Sequence, residues 1–301
     1  MIVAFLGLGR MGRLMAANLE RAGFGLRSYD LNGSGNCATA REAASGADVL
    51  ITMVPDGRAV RKALGAAAPG LARGAIVIDM SSSDPQTTRA LGKVLKRKGV
   101  ALLDAPVSGA QAKAKDGTLA IMVGGDAAAL ERVRPVLEAL GTQIFHTGGL
   151  GCGHAVKALN NYLGAAGTIA GFEALLVGRK FGLDPKVLVD AINASTGRNS
   201  TTERKIPQQI LTGAFASGFQ LALMAKDVGI AADLARRTGV RAPCLRSTLK
   251  LWRDAERRLP PGADHTEIYK YLRALPRLKP RSARPARGSG RRARRARPPR
   301  R

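Results

Sequence analysis

A lysine and an asparagine stand four residues apart in a stretch of helical pattern, and the pair has the chemistry to move a proton. Lys157 and Asn161 lie in the segment 151–161. Residues at i and i+4 share one face of a helix. A lysine whose pKa is lowered by burial or by a neighbouring cation can take up and return a proton, and the amide one turn away can hold the oxygen involved. The alternative interpretation of Lys157 is an ordinary solvated surface residue.

A glycine-rich turn near the N-terminus has the form that binds the phosphates of a dinucleotide. The run Gly7-Leu8-Gly9-Arg10-Met11-Gly12 matches Gly-x-Gly-x-x-Gly, directly after an apolar stretch and at the start of a helical pattern. In this context the glycines allow a tight turn, close approach of a pyrophosphate and close packing of helix on strand. Asp30 ends the next predicted strand, where a carboxylate can accept hydrogen bonds from ribose hydroxyls. No arginine follows Asp30 to hold a 2′-phosphate, so the sequence favours NAD over NADP.

A third candidate region lies between two predicted strands, in the segment 104–119. Ser108, Gly109 and Ala110 form its turn, and a serine hydroxyl with turn N–H groups can bind a carboxylate. An ordinary turn is the alternative. A loop between later helices, Ser195–Asn199, is the candidate for contacts to the far end of a substrate.

The order of elements that would position these residues alternates between strand and helix in the first half of the chain. Predicted strands lie at 1–6, 26–29, 48–54, 75–80, 100–105 and 119–123, with helices at 11–21, 84–98 and 126–140. This alternation predicts a Rossmann-type, doubly wound parallel α/β domain over residues 1–150. Only Leu31–Gly35 separates Asp30 from a possible strand near Cys37, so the helix that normally follows the second strand is expected to be missing.

The second half of the chain shows helical periodicity alone, at 153–181, 185–194, 203–211, 219–237 and 242–258. It predicts an all-helical domain over residues 151–275 that contributes to substrate binding and oligomerisation. Its first helix is rich in glycine and alanine, which suits close helix packing inside a domain or a dimer. We therefore expect a homodimer or homotetramer.

Charge and cysteine content exclude several classes of protein. Three widely separated cysteines offer neither a disulfide framework nor a metal site, and no apolar run reaches the length of a membrane span. These features predict a cytoplasmic protein with no metal and no membrane contact. The net charge is +26, and the segment 277–301 supplies twelve basic residues and no acid. Residues 276–301 are expected to be a disordered arginine-rich tail, the one place where nucleic acid would bind, and residues 1–276 keep a net charge of +14.

Four ordered motifs resemble the β-hydroxyacid dehydrogenase family, which includes 3-hydroxyisobutyrate dehydrogenases. They lie at 5–23, 104–119, 151–161 and 219–227, and the resemblance spans about residues 1–275. It implies that Lys157 is the catalytic acid and base, that Asn161 is its partner, and that Ser108 and Gly109 bind the substrate carboxylate. It also implies that the cofactor and its nicotinamide contact Val54, Pro55, Ser82, Phe219 and Lys226.

The same resemblance implies a reaction. A short 3-hydroxy acid would lose a hydride from C3 to NAD and a proton from its hydroxyl to Lys157, giving a semialdehyde. His154 replaces the glutamine of the family and is expected on the helix surface. Two alternatives are an imine reductase, whose known relatives generally lack this lysine, and an inert dehydrogenase fold that serves as a scaffold with a nucleic-acid-attracting tail.

Overall fold

The computed structural model describes residues 1–276, so the expected tail lies outside the described residues. Within them the predicted architecture is confirmed: a Rossmann domain with a sheet covered on both faces precedes a helical domain. The strands are β1 (Ile2–Leu6), β2 (Gly25–Tyr29), β3 (Val49–Thr52), β4 (Ile76–Asp79), β5 (Ala101–Asp104), β6 (Val107–Ser108), β7 (Ala120–Gly124) and β8 (Gln143–Gly148).

The sheet is mainly parallel, as predicted, with β7 and β8 running the other way. Its order is β2-β1-β3-β4-β5-β7-β6, with β8 paired to β7. Strands β1 to β5 are parallel, whereas β7 runs antiparallel to β5 and β6. After Ser108 the chain passes through one short helix and turns back, so that β7 pairs antiparallel with both β5 and β6. Strands β6 and β8 have no clear apolar pattern and were not predicted.

Helices cover both faces of the sheet because side chains alternate along each strand. On β1, Val3 and Phe5 belong to one core cluster, whereas Ala4 and Leu6 belong to the cluster on the opposite face of the sheet. The helices of this domain are α1 (Gly12–Arg21), α2 (Ala40–Ala44), α3 (Gly57–Ala67), α4 (Pro85–Arg97), α5 (Ala110–Asp116) and α6 (Ala127–Glu138).

The connection from β2 to β3 differs from expectation. The prediction of a missing helix was wrong, because α2 is present after the irregular segment 31–39. Thr39 Oγ1 accepts a hydrogen bond from the Glu42 N–H, and the Glu42 carboxylate accepts one from the Ala38 N–H. These reciprocal contacts stabilise the start of a short helix. No strand forms at Cys37, although its N–H donates to the Ser28 carbonyl at 3.0 Å.

The second domain is helical, as predicted. It contains α7 (Cys152–Phe181), α8 (Pro185–Asn193), a π-helix (Thr201–Ile210), α9 (Leu221–Arg237), α10 (Pro243–Arg258), a 3₁₀ turn (His265–Glu267) and α11 (Ile268–Arg273). Trp252 and Phe172 are fully buried in its core. The π-helix replaces a predicted ordinary helix, and α11 was not predicted. None of the helices described in residues 1–276 has the length and apolar character needed to cross a membrane.

Candidate active site

The glycine-rich turn has the geometry that a pyrophosphate requires. Gly7 has φ +101°, a conformation that favours glycine, and a Cβ there would lie 2.4 Å from the Met53 carbonyl. A Cβ on Gly12 would lie 1.9 Å from the Gly7 carbonyl, so α1 starts in direct backbone contact with the turn. At Gly9, by contrast, the space around a Cβ is open within 4 Å. The middle glycine therefore leaves room for a phosphate at the N-terminus of α1.

Asp30 lies beside this turn at the end of β2. One carboxylate oxygen accepts a hydrogen bond from the Leu8 N–H at 2.6 Å, and the other accepts one from the Asn32 N–H at 3.0 Å. Each oxygen keeps a further lone pair. The residues of the turn and Asp30 together fit the phosphates and the adenosine ribose of a dinucleotide.

The loops after β3 and β4 meet helix α9 of the second domain. Lys226 Nζ donates to the carbonyl oxygens of Pro55 at 2.9 Å and Ser82 at 2.8 Å. Val54 lies at the same edge, with its N–H donating to Ser81 Oγ at 3.0 Å. Lys226 thus joins the two domains at the carboxyl edge of the sheet, where ligands of this fold bind.

Lys157 is partly buried on the second turn of α7. Burial lowers the pKa of its ammonium, the Asp227 carboxylate opposes that shift, and the Lys226 ammonium adds to it. The lowering makes the neutral amine easier to reach than in an exposed lysine. Burial and a neighbouring cation are the two conditions under which a lysine can act as a proton carrier.

Asp227 on α9 is the site residue that the sequence did not single out, although it belongs to the fourth motif. It is 2 % exposed, and its Oδ2 accepts a hydrogen bond from Asn161 Nδ2 at 2.6 Å. Its Oδ1 lies 3.2 Å from Lys226 Nζ. Asp227 therefore connects Lys226, Asn161 and the surroundings of Lys157. The sequence does contain a signal for Asp227, because it directly follows Lys226, a residue already predicted to contact the cofactor.

The predicted carboxylate loop follows β6. Ser108 ends this strand, Gly109 has φ +140°, and Ala110 has φ +56°, a left-handed conformation that few non-glycine residues adopt. Gly109 is the N-cap residue of α5, so no side chain caps the backbone N–H groups at the start of this helix. The loop contacts the second domain, because a Cβ on Gly218 would lie 3.2 Å from Gln111 Nε2.

His154 is fully buried, so its predicted place on the helix surface is wrong. Its Nε2 donates to the Ser81 carbonyl at 3.0 Å, and its Nδ1 lies 2.8 Å from Thr88 Oγ1. His154 is buried because the first turn of α7 is held inside the molecule by hydrogen bonds to Asp104. Asp104 at the end of β5 accepts hydrogen bonds from the N–H groups of Gly151 and His154, both at 2.7 Å.

The carboxylates around His154 form a buried polar junction. Asp79 and Asp104 each place an oxygen 3.7 Å from a ring nitrogen of His154. Burial raises the pKa of the Asp104 carboxyl, and His154 and the two backbone N–H groups counteract the rise. This junction fixes the first turn of α7 against the ends of β4 and β5, one turn before Lys157.

An open cleft of about 300 Å³ lies where the glycine-rich turn faces the second domain. Arg10 and Phe219 both line it. The Phe219 ring meets the His265 ring edge-on, with centroids 5.7 Å apart. Burial and Lys205 lower the pKa of His265 to about 4, against the opposing effect of Asp264. His265 is therefore neutral at physiological pH, and its ring packs against the ring of Phe219.

Two further sequence predictions concern residues away from this cleft. Asn199, in the predicted specificity loop, lies near Gly167, ten residues beyond Lys157 and so about 15 Å along α7. Nothing in residues 1–276 groups three His, Cys, Asp or Glu side chains as a metal site would. His146 Nε2 lies 3.0 Å from the Gly125 carbonyl.

Comparison with known proteins finds family models that match both halves of the chain. A model described as the NAD binding domain of 6-phosphogluconate dehydrogenase matches residues 2–148, and one described as NAD-binding of NADP-dependent 3-hydroxyisobutyrate dehydrogenase matches residues 151–272. An NAD-dependent L-serine dehydrogenase of Pseudomonas aeruginosa is 40% identical over 271 residues, 83% of this chain and 91% of the relative. The 2-(hydroxymethyl)glutarate dehydrogenase of Eubacterium barkeri is 35% identical over 254 residues, 80% of this chain and 84% of the relative.

A solved structure extends the comparison to the fold. The 3-hydroxyisobutyrate dehydrogenase of Mycobacterium tuberculosis with L-serine matches with a TM-score of 0.84 and 35% identity, over 91% of this chain and 100% of that one. The cofactor is NAD, in agreement with the match of residues 2–148 to an NAD binding domain. The turn, the lysine-bearing helix and both family matches lead to one assignment: this chain belongs to the β-hydroxyacid dehydrogenase family of NAD-dependent enzymes.

Proposed function

We propose that the protein oxidises a short 3-hydroxy acid of the 3-hydroxyisobutyrate type to the semialdehyde, with bound NAD as the hydride acceptor. The observation that carries this proposal is the environment of Lys157. It is a partly buried ammonium whose pKa is lowered by burial and by Lys226, at the edge of the sheet where the glycine-rich turn lies. A lysine in that state suits general acid and base catalysis.

In this mechanism the neutral amine of Lys157 takes the proton of the substrate hydroxyl as the C3–H bond breaks. Two electrons leave with the hydrogen as hydride, and a C=O bond forms at C3. In the reverse direction the Lys157 ammonium returns the proton to the oxygen. Asn161 keeps one Nδ2 hydrogen free after its bond to Asp227, and that hydrogen holds the substrate oxygen. Asp227 in turn fixes the orientation of the amide.

The substrate carboxylate binds at the loop after β6. The Ser108 hydroxyl and the N–H groups of Gly109 and Ala110 are the donors in this proposal. The left-handed backbone at Gly109 and Ala110 supports it, because successive turn N–H groups in such conformations converge on an anion. Val54, Pro55, Ser82, Phe219 and Lys226 line the nicotinamide side.

The test is NADH formation from a panel of C3-hydroxy acids: 3-hydroxyisobutyrate, 3-hydroxypropionate, glycerate, L-serine and threonate. We expect saturable turnover with at least one of them, and none with 2-hydroxy acids of equal size that lack a C3 hydroxyl. Absence of turnover over the whole panel, together with normal NAD binding, would overturn the proposed substrate class.

We also propose that the protein forms a homodimer or homotetramer through α7. One side of this helix exposes Val156, Leu159, Leu163, Val177 and Phe181, of which Phe181 is 82 % exposed. Exposed apolar side chains on one side of a helix are typical of protein interfaces. Light scattering should give an oligomer for the native chain and a smaller particle for Leu163→Glu, whereas Leu31→Glu, at an exposed residue of the other domain, should change nothing.

We place the domain boundary between residues 150 and 151, with the helical domain ending at 275, and propose a cytoplasmic location. The free state of Cys37, Cys152 and Cys244 supports a reducing compartment. Limited proteolysis and cell fractionation are the corresponding measurements.

A further inference from the structure

The second domain contains a groove that the proposed reaction does not use. It lies between α9 and α10, has a volume of about 390 Å³, and is lined only by residues of these helices and of the turn between them. Its floor is apolar: Leu245 is buried, Leu249 is partly buried, and Ala232 and Ala235 complete it. A concave apolar site of this size suits a small molecule.

Four arginines surround this floor: Arg236, Arg241, Arg246 and Arg253. The one acidic residue among the lining side chains is Asp233, which pairs with Arg236 at 3.3 Å. Within residues 1–276 the other three arginines have no carboxylate in ion-pair contact. Three guanidinium groups thus share one groove without a compensating charge.

On helix α10, two of the arginines lie before and after an apolar residue that also lines the groove. Arg246, Leu249 and Arg253 follow a spacing of i, i+3 and i+7, which puts them on one helix face. The Cα atoms of the two arginines are therefore about 10 Å apart along the helix axis. Arg253 reaches across the groove to α9, where its Nη2 lies 3.6 Å from the position of a Cβ on Gly229.

Charge complementarity decides which kind of occupant fits. A second copy of the same face would bring like charges together, and the segment 277–301 has twelve basic residues and no acid. Both are repelled by three unpaired arginines. An anion with an apolar body satisfies both parts of the groove, because guanidinium groups bind carboxylates and phosphates in bidentate geometry.

We propose that the groove between α9 and α10 binds a small organic dianion, with its aliphatic middle on Leu245 and Leu249 and its two anionic ends on Arg246 and Arg253. Arg241 adds a third donor at the rim. Neither Lys157 nor Asn161 lines the groove, so its occupation does not depend on the identity of the hydroxy acid.

The test uses octanedioate as the probe on the full chain, by isothermal titration calorimetry. Octanedioate has two carboxylates joined by six methylene groups. We expect it to bind saturably and more tightly than octanoate, which has one carboxylate, while 1,8-octanediol gives no binding. Arg246→Gln and Arg253→Gln should each weaken octanedioate binding about tenfold or more, since each removes a hydrogen bond between charged groups.

The matched control is Arg257→Gln on the same helix, because Arg257 is paired with Asp254 and does not line the groove. It should bind octanedioate like the native chain. Arg246→Lys keeps the charge without the bidentate geometry and should give an intermediate affinity. Turnover of the hydroxy acid without octanedioate should be unchanged in all of these variants. The proposal is overturned if octanedioate does not bind saturably, if 1,8-octanediol binds as well, or if Arg257→Gln weakens binding as much as Arg246→Gln.

Discussion

Asn161 Nδ2 lies 2.6 Å from Asp227 Oδ2, and this bond joins α7 to α9 beside Lys157. Both residues are buried. A short hydrogen bond to a carboxylate is among the stronger polar contacts in proteins, so the amide has a fixed orientation before any substrate arrives. The proton-handling part of the site is therefore built from two helices of the second domain and completed by loops of the first.

Replacing Lys157 tests the proposed proton transfer. We expect Lys157→Ala to lower kcat about 10²- to 10⁴-fold, the usual contribution of a general acid or base. NAD affinity, measured by fluorescence titration, should stay close to that of the native chain because the glycine-rich turn and Asp30 are untouched. Lys180→Ala, an exposed lysine at the end of the same helix, is the control and should keep full turnover. Near-normal kcat in a folded Lys157→Ala protein would contradict the mechanism.

The two charged neighbours of Lys157 should shift the pH dependence of oxidation in opposite directions. Oxidation needs the neutral amine, so kcat/KM should rise with pH, with a midpoint below the value of 10.5 for an ordinary lysine. Asp227 raises the pKa of Lys157 and Lys226 lowers it. We therefore expect the midpoint to move to lower pH in Asp227→Asn and to higher pH in Lys226→Met. Asp233→Asn, six residues further along α9, should leave the midpoint in place. Shifts of the same sign in both test variants would count against this account.

Asp30 should set the preference between the two dinucleotides. Its carboxylate lies within 2.6 Å of the Leu8 N–H and would repel a 2′-phosphate. We expect a higher kcat/KM with NAD than with NADP, and a narrower difference in Asp30→Ala. Asp30→Asn is the sharper variant, since the amide oxygen can keep one of the two backbone hydrogen bonds while the charge is removed. Equal or better use of NADP by the native chain would refute this role of Asp30.

The buried junction at His154 should be measurable as stability. His154→Ala removes two ring contacts and leaves the carboxylates of Asp79 and Asp104 without their shared neighbour. We expect the free energy of unfolding in urea to fall by about 3 kcal/mol. Thr88→Val, which removes one of the two ring contacts, should cost about 1 kcal/mol. If His154→Ala costs no more than Thr88→Val, the junction does not stabilise the fold as described.

Local patterns were enough to predict the residues that belong to one segment. The turn from Gly7 to Gly12 is a contiguous motif, and Lys157 and Asn161 share one helix face by spacing alone. Helix α2 was also within reach of local reasoning, because Thr39 and Glu42 have the spacing of a reciprocal cap. Its absence from the prediction reflects the short distance after Asp30, which suggested a strand instead.

The remaining differences depend on contacts between distant segments. Asp227 acquires its role only when α9 meets α7, 66 residues away from Asn161. His154 is buried because Asp104, 50 residues earlier, binds its N–H. Sequence spacing does not encode such pairings, nor does it encode the antiparallel pairing of β7 with β5 and β6.

The two hydrogen bonds that Asp104 accepts from Gly151 and His154 limit how α7 can move. They fasten the start of α7, and with it Lys157, to the sheet of the NAD-binding domain. Asp227 and Lys226 belong to α9, which is held to the loops after β3 and β4 through Lys226 Nζ. Because Asn161 on α7 also binds Asp227 on α9, the two helices are tied to each other as well as to the sheet. Lys157 and the two charges that shift its pKa therefore belong to one braced unit, and the strength of the base is set before substrate arrives.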